Sequence, residues 1–241
     1  MRVLITRPAR EAKSLAATLA AEGHSAIVSP LLEIQFADGP AISLGGFQAV
    51  LATSANGIHA LTRRTAERGK PVFAVGPETA AAATAQGFRS IKQADGDANT
   101  LALAVQQWIA AKRGPLLYAA GRDRTGQLET ALSNLGFTIH TEVLYAAHAL
   151  SLNAHAIAAL GSGEVDAVML FSTRSARLFV EQLALHQVQH ASGAAAALCI
   201  SPAVAAVFKP EQFAAIHVAA SPNRDSMLAL LRELSCARAQ D

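Results

Sequence analysis

Six short segments place hydroxyls, arginines or glycines where an apolar run gives way to a helical pattern. They are Thr6-Arg7-Pro8, Thr53-Ser54-Ala55-Asn56-Gly57, Gly76-Pro77-Glu78-Thr79, Gly121-Arg122-Asp123-Arg124, Phe171-Ser172-Thr173-Arg174 and Ser201-Pro202. Ser, Thr and Asn accept hydrogen bonds from the first N–H groups of a helix, and proline suits its first turn. The N–H groups left over, at the positive end of the helix dipole, attract anions. Ordinary capping accounts for any one segment. Six together, with Arg7, Arg122, Arg124 and Arg174 beside them, fit two crevices that receive a polyanion. Candidate ligand-holding residues are thus Thr6, Arg7, Thr53, Ser54, Asn56, Gly57, Gly76, Thr79, Gly121, Arg122, Arg124, Ser172, Thr173 and Ser201. Tyr145 stands apart, just beyond the strand pattern Thr138–Glu142. Its phenol either packs a linker or donates a proton into a cleft.

Other chemistries lack their residues. No G-x-x-x-x-G-K-[ST] loop occurs, and Gly161-Ser162-Gly163 precedes a strand pattern instead of following one, so it is no dinucleotide fingerprint. There is no G-x-S-x-G elbow and no Cys/His nucleophile pair. Val3–Thr6 runs straight into Arg7, without the aspartates of a phospho-accepting receiver. His186 and His190 have i,i+4 spacing but no third ligand nearby, so no metal is expected, nor any cofactor.

The elements that must position these residues alternate. Strand patterns are Val3–Thr6, Ala26–Ser29, Ala49–Thr53, Val72–Val75, Leu116–Ala119, Thr138–Glu142, Ala167–Phe171, Leu198–Ile200 and Ile216–Ala219. Most are continuous apolar runs, as in parallel strands buried on both faces. Helical spacing covers Arg10–Glu22, Asn56–Arg68, Glu78–Gln86, Thr100–Lys112, Thr125–Leu135, Ser175–Leu185 and Ser226–Ser235. Such alternation predicts α/β architecture with doubly wound parallel sheets.

The chain also repeats itself. Residues 2–32 align without a gap on 115–145, 47–61 on 165–179, and 72–81 on 197–206, while 101–108 resembles 227–234. Four pieces appear and then recur in the same order, which predicts two homologous α/β domains. A break near residue 114 is disfavoured, because Lys112-Arg113-Gly114-Pro115 is a tight turn. Longer irregular stretches follow the first piece of each half, at 34–46 and 146–164. Crossing there predicts a discontinuous domain, 1–34 plus 150–241, and an inserted domain, 40–144, with linkers 35–39 and 145–149.

Composition narrows the class. The 241 residues are 51% hydrophobic and 16% charged, which excludes disorder, and the net charge of +2 gives no global attraction to nucleic acid. Aromatic content of 5% is too low for a base-stacking surface. No apolar run reaches about 18 residues, so no membrane span is expected. Two cysteines, one in the apolar run AALCI, form no disulfide framework and suggest a reducing, cytoplasmic compartment.

In order, VLITRP, TSANG, VGPETA with the following Gly87-Phe88, GRDR…L…L…GF, Tyr145 and FSTRSA resemble the uroporphyrinogen-III synthase family over nearly the whole chain. The resemblance implies two α/β domains joined by a two-stranded linker, the first discontinuous, with the active site in the interdomain cleft. It implies a cofactor-free lyase acting on hydroxymethylbilane, a linear tetrapyrrole with eight carboxylates. The hydroxyl leaves as water, ring D inverts through a spiro intermediate, and the macrocycle closes to uroporphyrinogen III. Tyr145 matches the tyrosine that assists loss of the hydroxyl. Thr53, Ser54, Asn56, Gly57, Gly76, Thr79, Gly121, Arg122 and Ser172 match motifs lining the cleft. A monomer is expected, with transient contact with the preceding enzyme of the pathway.

One motif departs. The counterpart of Gly76-Pro77-Glu78-Thr79 is Ser201-Pro202-Ala203-Val204, where the family usually has Gly at 201 and Thr at 204. Either the missing hydroxyl is dispensable or Ser201 replaces it. The residues alone also suit a non-catalytic two-domain module that closes on an acidic metabolite. A sugar-phosphate isomerase would need a base at a strand end, where only Asp123 and Glu78 stand. The irregular crossings predict domains that move relative to each other. Solution scattering should then show compaction when product is added, and identical profiles at saturation would contradict it.

Overall fold

Short apolar runs and Ala/Leu-rich amphipathic segments set the order of elements in the computed structural model, which describes residues 1–94, 96–188 and 195–238. In chain order, β1 (Arg2–Ile5), α1 (Ala9–Ala21), β2 (Ser25–Val28) and β3 (Leu32–Phe36) come first. Next are β4 (Ala49–Ala52), α2 (Ala55–Arg64), β5 (Val72–Ala74), α3 (Pro77–Ala85), β6 (Ile91–Gln93) and α4 (Ala98–Trp108). They are followed by β7 (Leu116–Gly121), α5 (Gln127–Asn134), β8 (Ile139–Ala149) and α6 (Ala154–Gly161). The last are β9 (Ala167–Leu170), α7 (Thr173–Leu185), β10 (Ala196–Cys199), α8 (Pro202–Ala205), β11 (Ala215–Val218) and α9 (Arg224–Arg238). His190, half of the weak histidine pair, lies outside the described residues. Among those described, no group of three His, Cys, Asp or Glu side chains could hold a metal.

The chain divides into two compact units, Met1–Glu33 with His148–Asp241, and Ile34–Ala147. The first unit holds a sheet in the order β11-β10-β9-β1-β2, with parallel pairing throughout. Val3 and Ile5 pack with α1 and α9 on one face, while Leu4 packs with α6 and α7 on the other. The second sheet runs β3-β8-β7-β4-β5-β6, and its pairs from β8 to β6 are parallel. There Val50 and Ala52 face α2 and α3, and Ala49 and Leu51 face α4 and α5. Cover on both faces is why these strands are continuous apolar runs with no polar alternation.

The repeat maps strand for strand. β1, β2, β9, β10 and β11 hold the same sheet positions as β7, β8, β4, β5 and β6. The β-α-β piece that comes first in one unit comes last in the other.

Several expectations need correction. The crossings are only partly irregular: β3 fills 32–36 and the stretch from there to β4 has no regular element, whereas β8 continues to Ala149 and α6 covers Ala154–Gly161. Ala37 N–H donates to Leu144 O at 2.7 Å and Leu150 N–H to Leu31 O at 2.9 Å, in opposite order along the two segments, as in an antiparallel pair. The stretch after β3 is fastened by side chains. Arg64 Nε donates to Pro40 O at 2.9 Å and Nη1 to Glu142 at 3.0 Å, and Glu67 accepts from Leu44 N–H at 3.1 Å. α2 stops at Arg64, short of the expected Arg68, and Arg68 turns back to bond Thr65 O and Gln86 O. The short β6 and the single-turn α8 had too few residues to show a period.

One close approach locks α2 onto the sheet. A Cβ at Gly57 would sit 2.4 Å from Ala119 O, a backbone atom of β7. Gly57→Ala must therefore push the helix off the strand. The expected cost is about 1–3 kcal/mol, read as a lower denaturant midpoint at unchanged slope.

Candidate active site

In a doubly wound sheet the crevice opens where helices leave neighbouring strands on opposite faces. In the second unit that point lies between β4 and β7: α2 packs on one face and α5 on the other. In the first unit it lies between β1 and β9, with α1 and α7 on opposite faces. The strand ends at these two points are Thr53-Ser54 with Gly121-Arg122, and Thr6-Arg7 with Ser172-Thr173.

In the second unit, Ser54 caps α2, its hydroxyl accepting from Asn56 N–H at 3.2 Å. Thr53 hydrogen-bonds the Tyr118 hydroxyl at 2.9 Å. Tyr145 is not beyond a strand, as the sequence suggested, but within β8. β7 and β8 pair with constant register from Leu116↔Ile139 to Ala120↔Val143, and then Gly121 meets Tyr145. The extra residue is a bulge, a device that re-aims a side chain. The Tyr145 ring then lies against Gly121, where a Cβ would stand 2.8 Å from ring carbon Cζ and 3.0 Å from the hydroxyl. Arg122 N–H donates to Tyr145 O at 2.8 Å, which fixes the backbone.

Burial pushes the Tyr145 phenol above the ordinary tyrosine range. A hydrogen bond from the Ser54 side chain pulls it down, and the Asp123 charge adds a further upward push. Tyr145 is therefore a neutral phenol at physiological pH, able to give a proton. Ser54 already accepts from Asn56 N–H, so its own proton is free for the phenol oxygen.

The other expected residues divide into exposed and enclosed. Arg122 is exposed, with no side-chain ion pair among the described residues. Arg124 is not free: its Nε bonds Glu129 at 2.8 Å, and Nη1 bonds Gly121 O at 3.3 Å. Gly76 precedes α3 in extended backbone, with no side-chain cap and no atom within 4 Å of a Cβ built there. Neither conformation nor space explains that glycine. Thr79 is buried, 4% exposed.

In the first unit, Thr6 is only 1% exposed and its hydroxyl donates to Met169 O at 3.2 Å, so it ties β1 to β9 instead of standing open. The Arg7 guanidinium lies 4.5 Å over the Phe171 ring. Ser172 caps α7 through Ser175 N–H at 3.0 Å, and Thr173 begins that helix half-exposed. Ser201 precedes α8 without a side-chain cap. Val204 is 2% exposed within the core, so a hydroxyl there would face apolar side chains. Tyr118 was missed, because a tyrosine in an aliphatic strand announces only that its hydroxyl needs a partner.

The family model described as uroporphyrinogen-III synthase HemD matches residues 13–229. The chain belongs to the uroporphyrinogen-III synthase family. Membership makes it an enzyme of tetrapyrrole biosynthesis and a cyclising hydro-lyase. Two solved structures share the fold. A uroporphyrinogen-III synthetase from Helicobacter pylori is 15% identical with TM-score 0.62, over 97% of this chain and 100% of that one. A mutant uroporphyrinogen III synthase from Thermus thermophilus is 16% identical with TM-score 0.57, over 100% of both chains. No curated protein sequence matches the chain. Among the described residues no helix is long and apolar enough to cross a membrane.

For this enzyme the contact between Gly121 and Tyr145 makes a testable statement. Gly121→Ala must displace the ring end, a movable group, while β7 keeps its pairing. Turnover should fall about ten- to a hundredfold, the cost of a misplacement near 1 Å. The thermal midpoint should shift by no more than a few degrees, and both are measured on the same preparation.

Proposed function

We propose that the enzyme converts hydroxymethylbilane to uroporphyrinogen III with Tyr145 as general acid. The observation that carries this role is a neutral phenol at the β4/β7 crevice, seated against Gly121 with Ser54 beside it. As the pyrrole nitrogen pushes in its electron pair, the carbon–oxygen bond of the hydroxymethyl group breaks. The leaving hydroxyl takes the phenolic proton and departs as water. Ring D attacks the freed methylene carbon through its substituted α-carbon, giving the spiro intermediate. The bond from that α-carbon to its original bridging methylene then breaks, and ring D's other α-carbon recaptures that methylene, which inverts the ring. A ring proton is finally lost and restores the phenol, so no cofactor is consumed.

The substrate's carboxylates suit the helix starts after Ser54, Gly76 and Ser172, together with Arg7 and Arg122. Both units carry such starts, and each takes a share of the eight carboxylates. With Val204 in the core, backbone N–H groups and Ser201 serve at α8. Arg124, paired with Glu129, contributes less charge than Arg122. The enzyme works in the cytoplasm as a monomer, without nucleic acid or membrane, and receives its labile substrate by transient contact with the enzyme that makes it.

The deciding experiment is the ratio of type III to type I isomer formed from hydroxymethylbilane, since uncatalysed closure leaves ring D uninverted. Wild type should give type III. Tyr145→Phe keeps the ring and should lower kcat by about 10²–10⁴, the range of general acid catalysis, with type I accumulating. A Phe variant within about threefold of wild type would contradict the acid role. Because burial raises the phenol, kcat should hold through neutral pH and fall only above about pH 10. Arg122→Gln should raise KM more than Arg124→Gln does, and equal effects would remove the distinction between a free and a paired arginine.

A further inference from the structure

The proposed chemistry makes no use of Tyr118, the second of the chain's two tyrosines. It lies on β7, opposite Leu51 of β4 in the parallel register. At 3% exposure its ring belongs to the core formed with α4 and α5. A buried phenol left without a partner is costly, and most aliphatic replacements would pack there without that burden. Tyr118 meets its need at the crevice, through the 2.9 Å bond to Thr53. Thr53 lies two residues beyond Leu51, so with period two it shares the face on which the Tyr118 ring packs. Ser54 follows at once and serves the opposite face, where its hydroxyl caps α2 and where Tyr145 packs, its phenol drawn down by Ser54.

The dipeptide Thr53-Ser54 is therefore gripped from both sides of the sheet. On one side is the Tyr118 hydroxyl, and on the other are Asn56 N–H and Tyr145. Burial raises the Tyr118 phenol as well, so it remains a neutral hydrogen-bonding group throughout the working range. We propose that Tyr118 is a positioning residue for the reaction: its hydroxyl fixes Thr53, and through that backbone holds Ser54 against the Tyr145 phenol. The assignment rests on Tyr145 as general acid and extends it to a residue that does not itself meet the substrate.

The test is a double-mutant cycle. Tyr118→Phe keeps the ring in the core and removes only the hydroxyl. It should lower kcat about fivefold, the worth of one ordinary hydrogen bond, with KM unchanged. Thr53→Val breaks the same bond from the other end, and its effect on kcat should not add to that of Tyr118→Phe. In a Tyr145→Phe background, Tyr118→Phe should have no further effect. Labelling tyrosine with carbon-13 gives one signal for each phenol, assigned by the two Phe variants. The Tyr145 signal should titrate at higher pH in Tyr118→Phe, because the hydrogen bond from Ser54 that holds its pKa down is loosened. An unchanged Tyr145 titration, an unchanged kcat, or an equal fall in both backgrounds overturns the positioning role while leaving Tyr145 as acid. A Tyr145→Phe variant at full rate overturns the acid reading, and the positioning role falls with it.

Discussion

Parallel pairing of β4 with β7 is the constraint on which the rest of the site depends. Ala49, Val50 and Leu51 pair with Leu116, Leu117 and Tyr118, and that register sets Thr53 and Ser54 beside Gly121 and Arg122. The helices that follow the two strands leave on opposite faces, which opens a crevice at their carboxyl ends. Gly57 lets α2 start directly over Ala119 O, so the capping residue and the strand end form one rigid piece. A buried parallel sheet can present polar groups only at its ends, and this one concentrates them where helix starts add N–H groups and positive potential.

The same logic operates in the other unit from a permuted chain. β1 and β9 stand where β7 and β4 stand, and Thr6, Arg7, Ser172 and Thr173 fall at their ends. The residues there have diverged in use. Thr6 is spent on Met169 O, Arg7 is spread over Phe171, and Val204 has joined the core where its counterpart Thr79 keeps a buried hydroxyl. Equivalent position in a repeated architecture thus does not assign an equivalent task. The backbone of a helix start offers the same donors whichever side chain follows, so individual side chains can be lost while an anion-binding end persists.

The arginines show how far local charge is decided by neighbours. Arg122 and Arg124 are two residues apart in a single exposed segment, yet one has no side-chain ion pair among the described residues and the other is tied to Glu129 and Gly121 O. Glu129 comes from the first turn of α5, five residues on, where a carboxylate is favoured by the helix start. Arg64 is equally engaged, bridging Pro40 O and Glu142 and so fastening the stretch after β3. None of these pairings shows in net charge or in the count of basic residues.

Architecture and family are both legible in the order of residues. Continuous apolar runs alternating with helical spacing are the pattern of buried parallel strands with crossover helices, and the ordered motifs from VLITRP to FSTRSA mark the family along nearly the whole chain. The capping roles of Ser54 and Ser172 were legible too, because capping is local chemistry. The features that are not legible there lie between segments far apart in sequence. β8 extends past Glu142 because β7 pairs with it as far as Tyr145 and β3 flanks its other edge, and the bulge that aims Tyr145 over Gly121 is a property of two strands together. Thr6 is enclosed and Arg124 engaged through partners that no periodicity names. Tyr118 reaches Thr53 across 65 positions of chain. A one-dimensional pattern records which face a residue takes, whereas a hydrogen bond across strands depends on register, which is fixed only when the sheet forms.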